Sequence, residues 1–255
     1  MSSFSKDTLV LIMCAGKGTR LLPLTKTTPK PLVRCLDVEI LFWNIYNLYN
    51  QGLRNFVLNT HHLSSVFNEF LLDIKGVYPE AEFELSFEPE LLGSGGTIIN
   101  VCKKYDPKSL IVVNGDVISN IKLDDFKNSD SEIKVLVANS QDNYSKIFTD
   151  KKGNYKGVGF EAGEFELSYH NLGYYFYNSS AVSTIANLEL KACSLFNGVY
   201  GLINSKLIIT VHKLNEQEYF WFSVENIEEL EKTQEYLLKN QSQLVRSVQK
   251  SRGIV

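Results

Sequence analysis

Val10-Leu11-Ile12-Met13-Cys14-Ala15-Gly16-Lys17-Gly18-Thr19-Arg20-Leu21-Leu22-Pro23-Leu24-Thr25-Lys26-Thr27-Thr28-Pro29-Lys30-Pro31-Leu32 is the stretch whose reading decides the fold. An apolar β-type run, Leu9–Met13, ends in a small glycine-rich loop, and the cations Arg20 and Lys30 come after it. Glycine lets a backbone approach a ligand closely and adopt positive φ. Successive N–H groups in such a loop make a concave anion site. The loop lacks the Gly-Lys-Ser/Thr of a Walker P-loop and the spacing of a dinucleotide fingerprint. Pro23 argues against a helix starting at once. Pro29 and Pro31 are expected to hold Lys30 in an extended segment, since proline restricts itself and the residue before it. A strand, a backbone cradle and fixed positive charge together point to a nucleoside triphosphate.

Working outward, strand and helix patterns alternate. Helices are expected at Val38–Tyr49, Leu63–Ile74 and Gly95–Cys102, and strands at Asn55–Leu58, Phe83–Phe87 and Leu110–Val113. This alternation implies right-handed crossovers and an α/β fold with a mainly parallel twisted sheet flanked by helices. Ligands then sit beyond the C-terminal strand ends. The glycine loop, the Glu88–Gly96 segment and Asn114-Gly115-Asp116 all fall at such ends, which argues for one shared site. Past Asp116 the pattern turns strand-rich, at 133–138, 157–160, 165–169 and 174–177, with Gly153 and Gly163 at turns. Helices are expected at Ala181–Leu188 and Ile227–Leu238. The chain reads as a single domain, with a nucleotide-binding half at 1–120 and, at 121–255, an acceptor-binding half supplying a lid.

Composition bounds the chemistry. The 255 residues are 44% hydrophobic, enough for a sizeable core, and the net charge of −3 with no basic block excludes nucleic acid as an expected partner. Cys14, Cys35, Cys102 and Cys193 are scattered without metal-ligand spacing, as for reduced thiols of a cytoplasmic protein. No run is long enough to span a bilayer, and no basic leader with a cleavage site is seen. Asp116 at a strand exit either caps a turn or holds a hard cation, and beside the phosphate loop the cation is preferred. The acids Glu88 and Glu90 are either solvated or, as hydrogen-bond acceptors, suited to the N1–H and N2–H₂ edge of guanine. Asn59-Thr60-His61-His62 comes after a strand tip and either lines the pocket or has a helix-capping or packing role.

The opening stretch closely resembles the signature of the nucleotidyltransferases that make nucleotide sugars, L-A-x-G-x-G-T-R-L-x-P-L-T-x-x-x-P-K-P-L, with Met13-Cys14-Ala15-Gly16 at its start. More weakly, the resemblance runs along almost the whole chain. It implies a Rossmann-like, glycosyltransferase-A-like fold and Mg²⁺-dependent transfer of a nucleotidyl group from a nucleoside triphosphate to a sugar 1-phosphate, guanylyl or uridylyl, with pyrophosphate released. By that resemblance Arg20 and Lys30 are the catalytic cations. Ala15, Gly16, Lys17, Gly18, Thr19, Glu88, Gly93, Gly95, Gly96 and Asn114 would bind the nucleotide, and Asp116 would hold Mg²⁺. Asn171 and Gly173, in an N-x-G segment, would bind the acceptor.

The chain also departs from the pattern. Ser223 stands where sugar-type members carry an aspartate, so the second metal ligand is expected at Glu225, where related cytidylyl- and uridylyltransferases place theirs. Alternatively Glu225 only opens the final helix, with Asn226 as its N-cap. The family's Glu-Lys-Pro is replaced by Phe160-Glu161-Ala162-Gly163, leaving Lys146 or Lys156 as substitutes. These departures keep two alternatives open: a phosphocholine-type cytidylyltransferase, and a nucleotide-binding regulatory homologue without turnover. No hexapeptide-repeat tail is seen, so an acyltransferase domain is not expected. Neither nucleic acid nor membrane is an expected partner, and a homo-oligomer is left open.

Overall fold

A computed structural model describes residues 4, 6–127, 131–140, 146–159 and 167–255. Strand β1 (Thr8–Met13) opens the chain; short 3-10 turns at Thr19–Leu21, Leu24–Lys26 and Lys30–Leu32 carry it to a hairpin, β2 (Arg34–Cys35) and β3 (Val38–Glu39). Helix α1 (Ile40–Asn50), β4 (Asn55–Thr60), α2 (Val66–Val77), β5 (Glu82–Phe87), α3 (Gly93–Tyr105), β6 (Ser109–Asn114) and β7 (Val117–Ser119) come next in alternation. The later part runs through α4 (Asp124–Lys127), β8 (Ile133–Asn139), β9 (Lys146–Thr149), β10 (Tyr155–Gly159), β11 (Leu167–Tyr177) and α5 (Ser179–Ala186). A π-helical stretch at Leu195–Tyr200 precedes α6 (Gly201–Ile203), β12 (Ile209–Lys213), β13 (Trp221–Ser223), α7 (Ile227–Asn240) and α8 (Ser242–Arg252). No helix among the described residues is long and apolar enough to cross a membrane. The α/β class is the expected one.

The chain forms two compact units that interleave along the sequence. The first comprises Met1–Leu11, Glu90–Val113 and Lys122–Tyr219. Its strand order is β10-β9-β11-β6-β1, with β8 also on β11 and β12 on β8. Leu110–Val113 of β6 is completely buried, as the unbroken apolar run requires of a strand covered on both faces. β11 is a single long strand pairing antiparallel with β6, β8 and β9. Its register slips between Asn171 and Tyr175, where Gly173 takes φ of 75°. The bulge bends one strand to serve three neighbours, and a side chain at Gly173 would be strained. Gly163 and the replaced segment at 160–163 lie outside the described residues.

The second unit comprises Ile12–Pro89, Asn114–Ile121 and Phe220–Val255. Here β4 and β5 pair in parallel, Asn55 to Thr60 against Glu82 to Phe87, and β7 pairs antiparallel with β13. Helix α1 begins at Ile40 rather than Val38, because Val38 and Glu39 pair with Arg34 and Cys35 across a two-residue turn. Leu36 and Asp37 both have positive φ there, the requirement of a tight hairpin turn, yet neither is glycine or asparagine. Ile40–Ile45 of α1 is buried throughout, consistent with a helix apolar nearly all round. Each such fully buried aliphatic side chain contributes about 1.5–3 kcal/mol. At the other end, Arg252 of α8 donates from Nε to Glu39 at 2.9 Å and anchors that helix.

Candidate active site

Three strand tips of the second unit organise the loop. β1 ends at Met13, and Gly115, just past β6, donates its N–H to the Met13 carbonyl at 3.0 Å. A Cβ on Gly115 would lie 2.3 Å from that oxygen, so only glycine permits the approach. The turn then delivers Asp116. Its carbonyl accepts from the Val224 N–H at 2.8 Å, and Ser223 of β13 pairs with Val117 of β7. Glu225, one residue on, therefore emerges beside Asp116. Asn114, the last residue of β6, is half-buried in the same turn.

The two cations of the opening stretch meet these two acids. Lys30 Nζ donates to Asp116 Oδ2 at 2.5 Å, and Arg20 pairs with Glu225. Lys30 and Asp116 are the drier pair, at 16% and 23% side-chain exposure, whereas Arg20 is 72% exposed. Lys30 is not in an extended segment as expected: it opens the 3-10 turn Lys30–Leu32, since Pro31 has the φ that such a turn needs. Gly18, at φ of 61°, packs so tightly on Lys30 that a Cβ would lie 2.8 Å from the lysine's own Cβ. The Gly18 carbonyl accepts from Thr25 Oγ1 at 2.8 Å and from the Leu21 N–H at 2.9 Å. The loop thus fixes the lysine stem and leaves its ammonium on Asp116. Gly16 is different: its φ is not positive and a Cβ there would meet nothing within 4 Å. Ala15 is buried beneath the loop, while Gly16, Lys17, Thr19 and Arg20 are exposed.

The other oxygen of Asp116, Oδ1, is buried and has no hydrogen-bond partner among the described residues. Hard carboxylate donors beside one another suit Mg²⁺, which takes one or two carboxylates and leaves other positions to phosphates and water. No cluster of three or more His, Cys, Asp or Glu with metal geometry occurs among the described residues, so an all-protein cage is not what is built there. The residues present fit a sparsely held Mg²⁺. The Cys14 thiol is buried close by, and its pKa is pushed well up, first by burial and then by the Asp116 charge. It stays protonated and is no nucleophile.

Glu88 is not the solvated acid of one of its two readings. It is 1% exposed, and its Oε1 accepts from Asn59 Nδ2 at 2.9 Å. Asn59 Oδ1 in turn accepts the Cys14 N–H at 2.7 Å. His61 Nδ1 lies 2.8 Å from the Glu88 carbonyl; a carbonyl only accepts, so that nitrogen carries the proton. Asn59 is thus tied to the loop, a role its sequence context signals only as a polar residue ending the apolar run Phe56-Val57-Leu58. Asn226 caps α7 as one of the two readings of that segment has it, accepting from the Glu229 N–H at 2.9 Å, while Glu229 accepts from the Glu225 N–H.

Gly93, Gly95, Gly96, Asn171 and Gly173 belong to the first unit. There the Gly95 N–H donates to Cys193 O at 2.9 Å, and a Cβ on Gly95 would lie 2.5 Å from Ser194 O; at Gly96 it would lie 2.6 Å from Lys191 O. These two glycines are required by the 191–194 backbone resting on the start of α3. Asn171 accepts from the Gly173 N–H at 3.0 Å and donates to Tyr175 Oη at 2.6 Å, bracing the bulge of β11. Lys156 pairs with Asp150 at 3.3 Å.

The nucleotidyl transferase family model matches residues 9–240. The mannose-1-phosphate guanylyltransferase catalytic subunit beta of Drosophila pseudoobscura pseudoobscura is 28% identical over 78% of this chain and 55% of its own length. The D-glycero-alpha-D-manno-heptose 1-phosphate guanylyltransferase of Campylobacter jejuni is 29% identical over 56% of this chain and 63% of its own. The chain therefore spans little more than half the length of these relatives. Among solved structures, HddC from Yersinia pseudotuberculosis complexed with GMP-PN superposes with a TM-score of 0.73 at 21% identity, covering 90% of this chain and 99% of that one.

Proposed function

Since the chain belongs to the nucleotidyl transferase family, we propose that it joins a nucleoside triphosphate to a sugar 1-phosphate, giving a nucleoside-diphosphate sugar and pyrophosphate, with guanine as the favoured base and uracil as the runner-up. The guanylyltransferases among its relatives support guanine. Mg²⁺ would be held by Asp116 and Glu225, and when bound it would neutralise phosphate charge. One oxygen of the acceptor phosphate attacks the α-phosphorus; that P–O bond forms as the bond to the bridging α–β oxygen breaks, and pyrophosphate departs with the electron pair. The attacking oxygen is already anionic, so no general base is needed. The chain's own residues position and neutralise. The loop N–H groups from Gly16 to Thr19 receive phosphate oxygens, and the space beside Gly16 gives its glycine a purpose. Lys30 and Arg20 exchange their carboxylate partners for phosphate oxygens, so both stand where transition-state charge develops. The four cysteines are free thiols, in keeping with a cytoplasmic setting where nucleotides and sugar phosphates are available.

The observation that carries this reading is the 2.5 Å contact between Lys30 and Asp116, which puts the expected phosphate cation and the expected metal carboxylate at one point. Pyrophosphate release with Mg²⁺, each of GTP, UTP, CTP and ATP, and a panel of hexose and heptose 1-phosphates tests it. Release with GTP and a sugar phosphate is expected. Release only with CTP and a phospho-alcohol would replace the acceptor class, and nucleotide binding without release in any combination would leave a regulatory homologue.

A further inference from the structure

We infer that Glu88 acts on the phosphate loop through Asn59, as a positioning residue shared by all nucleotides, and does not read the base. The inference rests on the loop being the triphosphate site, and it concerns what holds that loop open and in shape.

The contacts run across three strand tips of the second unit. Cys14 is the first residue past β1, Asn59 the next-to-last of β4, and Glu88 the first past β5. All three are buried, at 2%, 3% and 1% exposure. The Cys14 N–H sits where β1 has ended. A buried N–H left without an acceptor is costly, and here the acceptor is a side chain, Asn59 Oδ1 at 2.7 Å.

An asparagine amide has two ends, one accepting and one donating, and they exchange by a flip of the terminal torsion. The chemistry on either side settles which way this one faces. The backbone N–H of Cys14 only donates, so it must meet the oxygen. The Glu88 carboxylate only accepts, so it must meet the nitrogen, and does so at 2.9 Å. Glu88 is itself held by its backbone: its N–H donates to Thr60 O at 2.8 Å, and its carbonyl is bound by His61 Nδ1 at 2.8 Å. The acid therefore sets the asparagine, and the asparagine sets the residue from which Ala15, Gly16 and Lys17 depart. A carboxylate engaged in this way and removed from solvent is poorly placed to meet a guanine edge. Its effect should be the same for every base.

The test compares Glu88→Gln, Glu88→Leu and Asn59→Ala with the unaltered protein. Binding of GTP, ATP, UTP and CTP with Mg²⁺ is measured by calorimetry, and the folded state of each variant is checked by its thermal melt. Glu88→Gln keeps an acceptor and should stay within about threefold for all four nucleotides. Glu88→Leu and Asn59→Ala should weaken all four by a common factor, about tenfold to a hundredfold, as expected when a positioning contact is lost. A second readout needs no nucleotide: hydrogen exchange at the Cys14 amide should be slow in the unaltered protein and in Glu88→Gln, and faster in Glu88→Leu. Should Asn59→Ala fail to fold, Glu88→Leu, one contact further from the loop, carries the comparison. A selective loss of GTP binding in Glu88→Gln would overturn the inference in favour of base reading. So would unaltered binding and unaltered Cys14 exchange in folded Glu88→Leu. If the unaltered protein bound no nucleotide, the functional reading would fall, while the exchange measurement would still decide whether Glu88 governs the loop.

Discussion

At Gly95 a methyl group would lie 2.5 Å from Ser194 O; at Gly16 it would touch nothing within 4 Å. The two segments look alike in sequence, each a run of small residues just past a strand, and both resemble nucleotide loops. The first unit uses its glycines to let one stretch of backbone lie on another, closing the start of α3 with the Cys193 carbonyl. The second uses Gly115 in that manner and Gly18 to seat the Lys30 and Thr25 side chains, but at Gly16 a Cβ would meet nothing. A glycine demanded by packing says little about ligands. A glycine that the protein does not itself demand says more.

The sharpest way to separate the two segments is to remove charge from one of them. Lys30→Ala should cut kcat/KM for the proposed transfer by about 10²–10³-fold, the scale of losing one preorganised donor at a developing charge, with the thermal melt near that of the unaltered chain. The glycines then give opposite signatures. Gly16→Ala should weaken triphosphate binding about tenfold or more, as for other lost positioning contacts, yet change stability by less than about 0.5 kcal/mol, as exposed substitutions do. Gly95→Ala should cost about 1–3 kcal/mol by overpacking and lower the melting temperature by several degrees. Equal stability losses in the two would erase the distinction between them.

Much of this was legible in the sequence because it depends on local rules. The apolar run Leu110–Val113 announced a buried strand, Gly115 before Asp116 a tight exit, and Asn226 a helix cap. The expectation that the glycine loop and Asp116 share a site needed only the rule that strand tips gather ligands, and Lys30 joined it through the resemblance of the opening stretch. The features that were not legible depend on partners distant in sequence. Nothing near Gly95 announces that residues 191–194 will rest on it. Leu36 and Asp37 do not advertise a hairpin, because their positive φ is imposed by the strands they join rather than favoured by the residues. Glu88 reads either as a solvated acid or as one facing a base, and its burial against Asn59, a residue on a different strand, is not signalled by its neighbours in sequence.

Smaller effects sharpen the same comparison. Burial pushes the Cys35 and Cys102 thiols up to about 12, and Cys14 further, while Cys193, against the glycines of the first unit, is half-buried. A thiol reagent at pH 8 should therefore label Cys193 well before the other three, as mass spectrometry of the labelled peptides would show. The folded chain keeps protons that the unfolded chain releases near the ordinary thiol value of about 8.5. Stability should accordingly fall as pH rises above that value, visible as a declining denaturation midpoint. Least of all, Asn226→Ala should cost about 1 kcal/mol, the usual worth of an N-cap, and should lower activity only as far as the Glu225 backbone shifts.

The most direct measurement is a crystal structure with Mn²⁺ in place of Mg²⁺ and a non-hydrolysable guanosine triphosphate analogue, read by the anomalous signal of the metal. A peak within coordination distance of Asp116, phosphates against the backbone of residues 16–19, and the Lys30 ammonium moved from Asp116 onto a phosphate oxygen are expected. A peak away from Asp116 and Glu225, with Lys30 still paired to Asp116 and the nucleotide bound elsewhere, would contradict the proposed function.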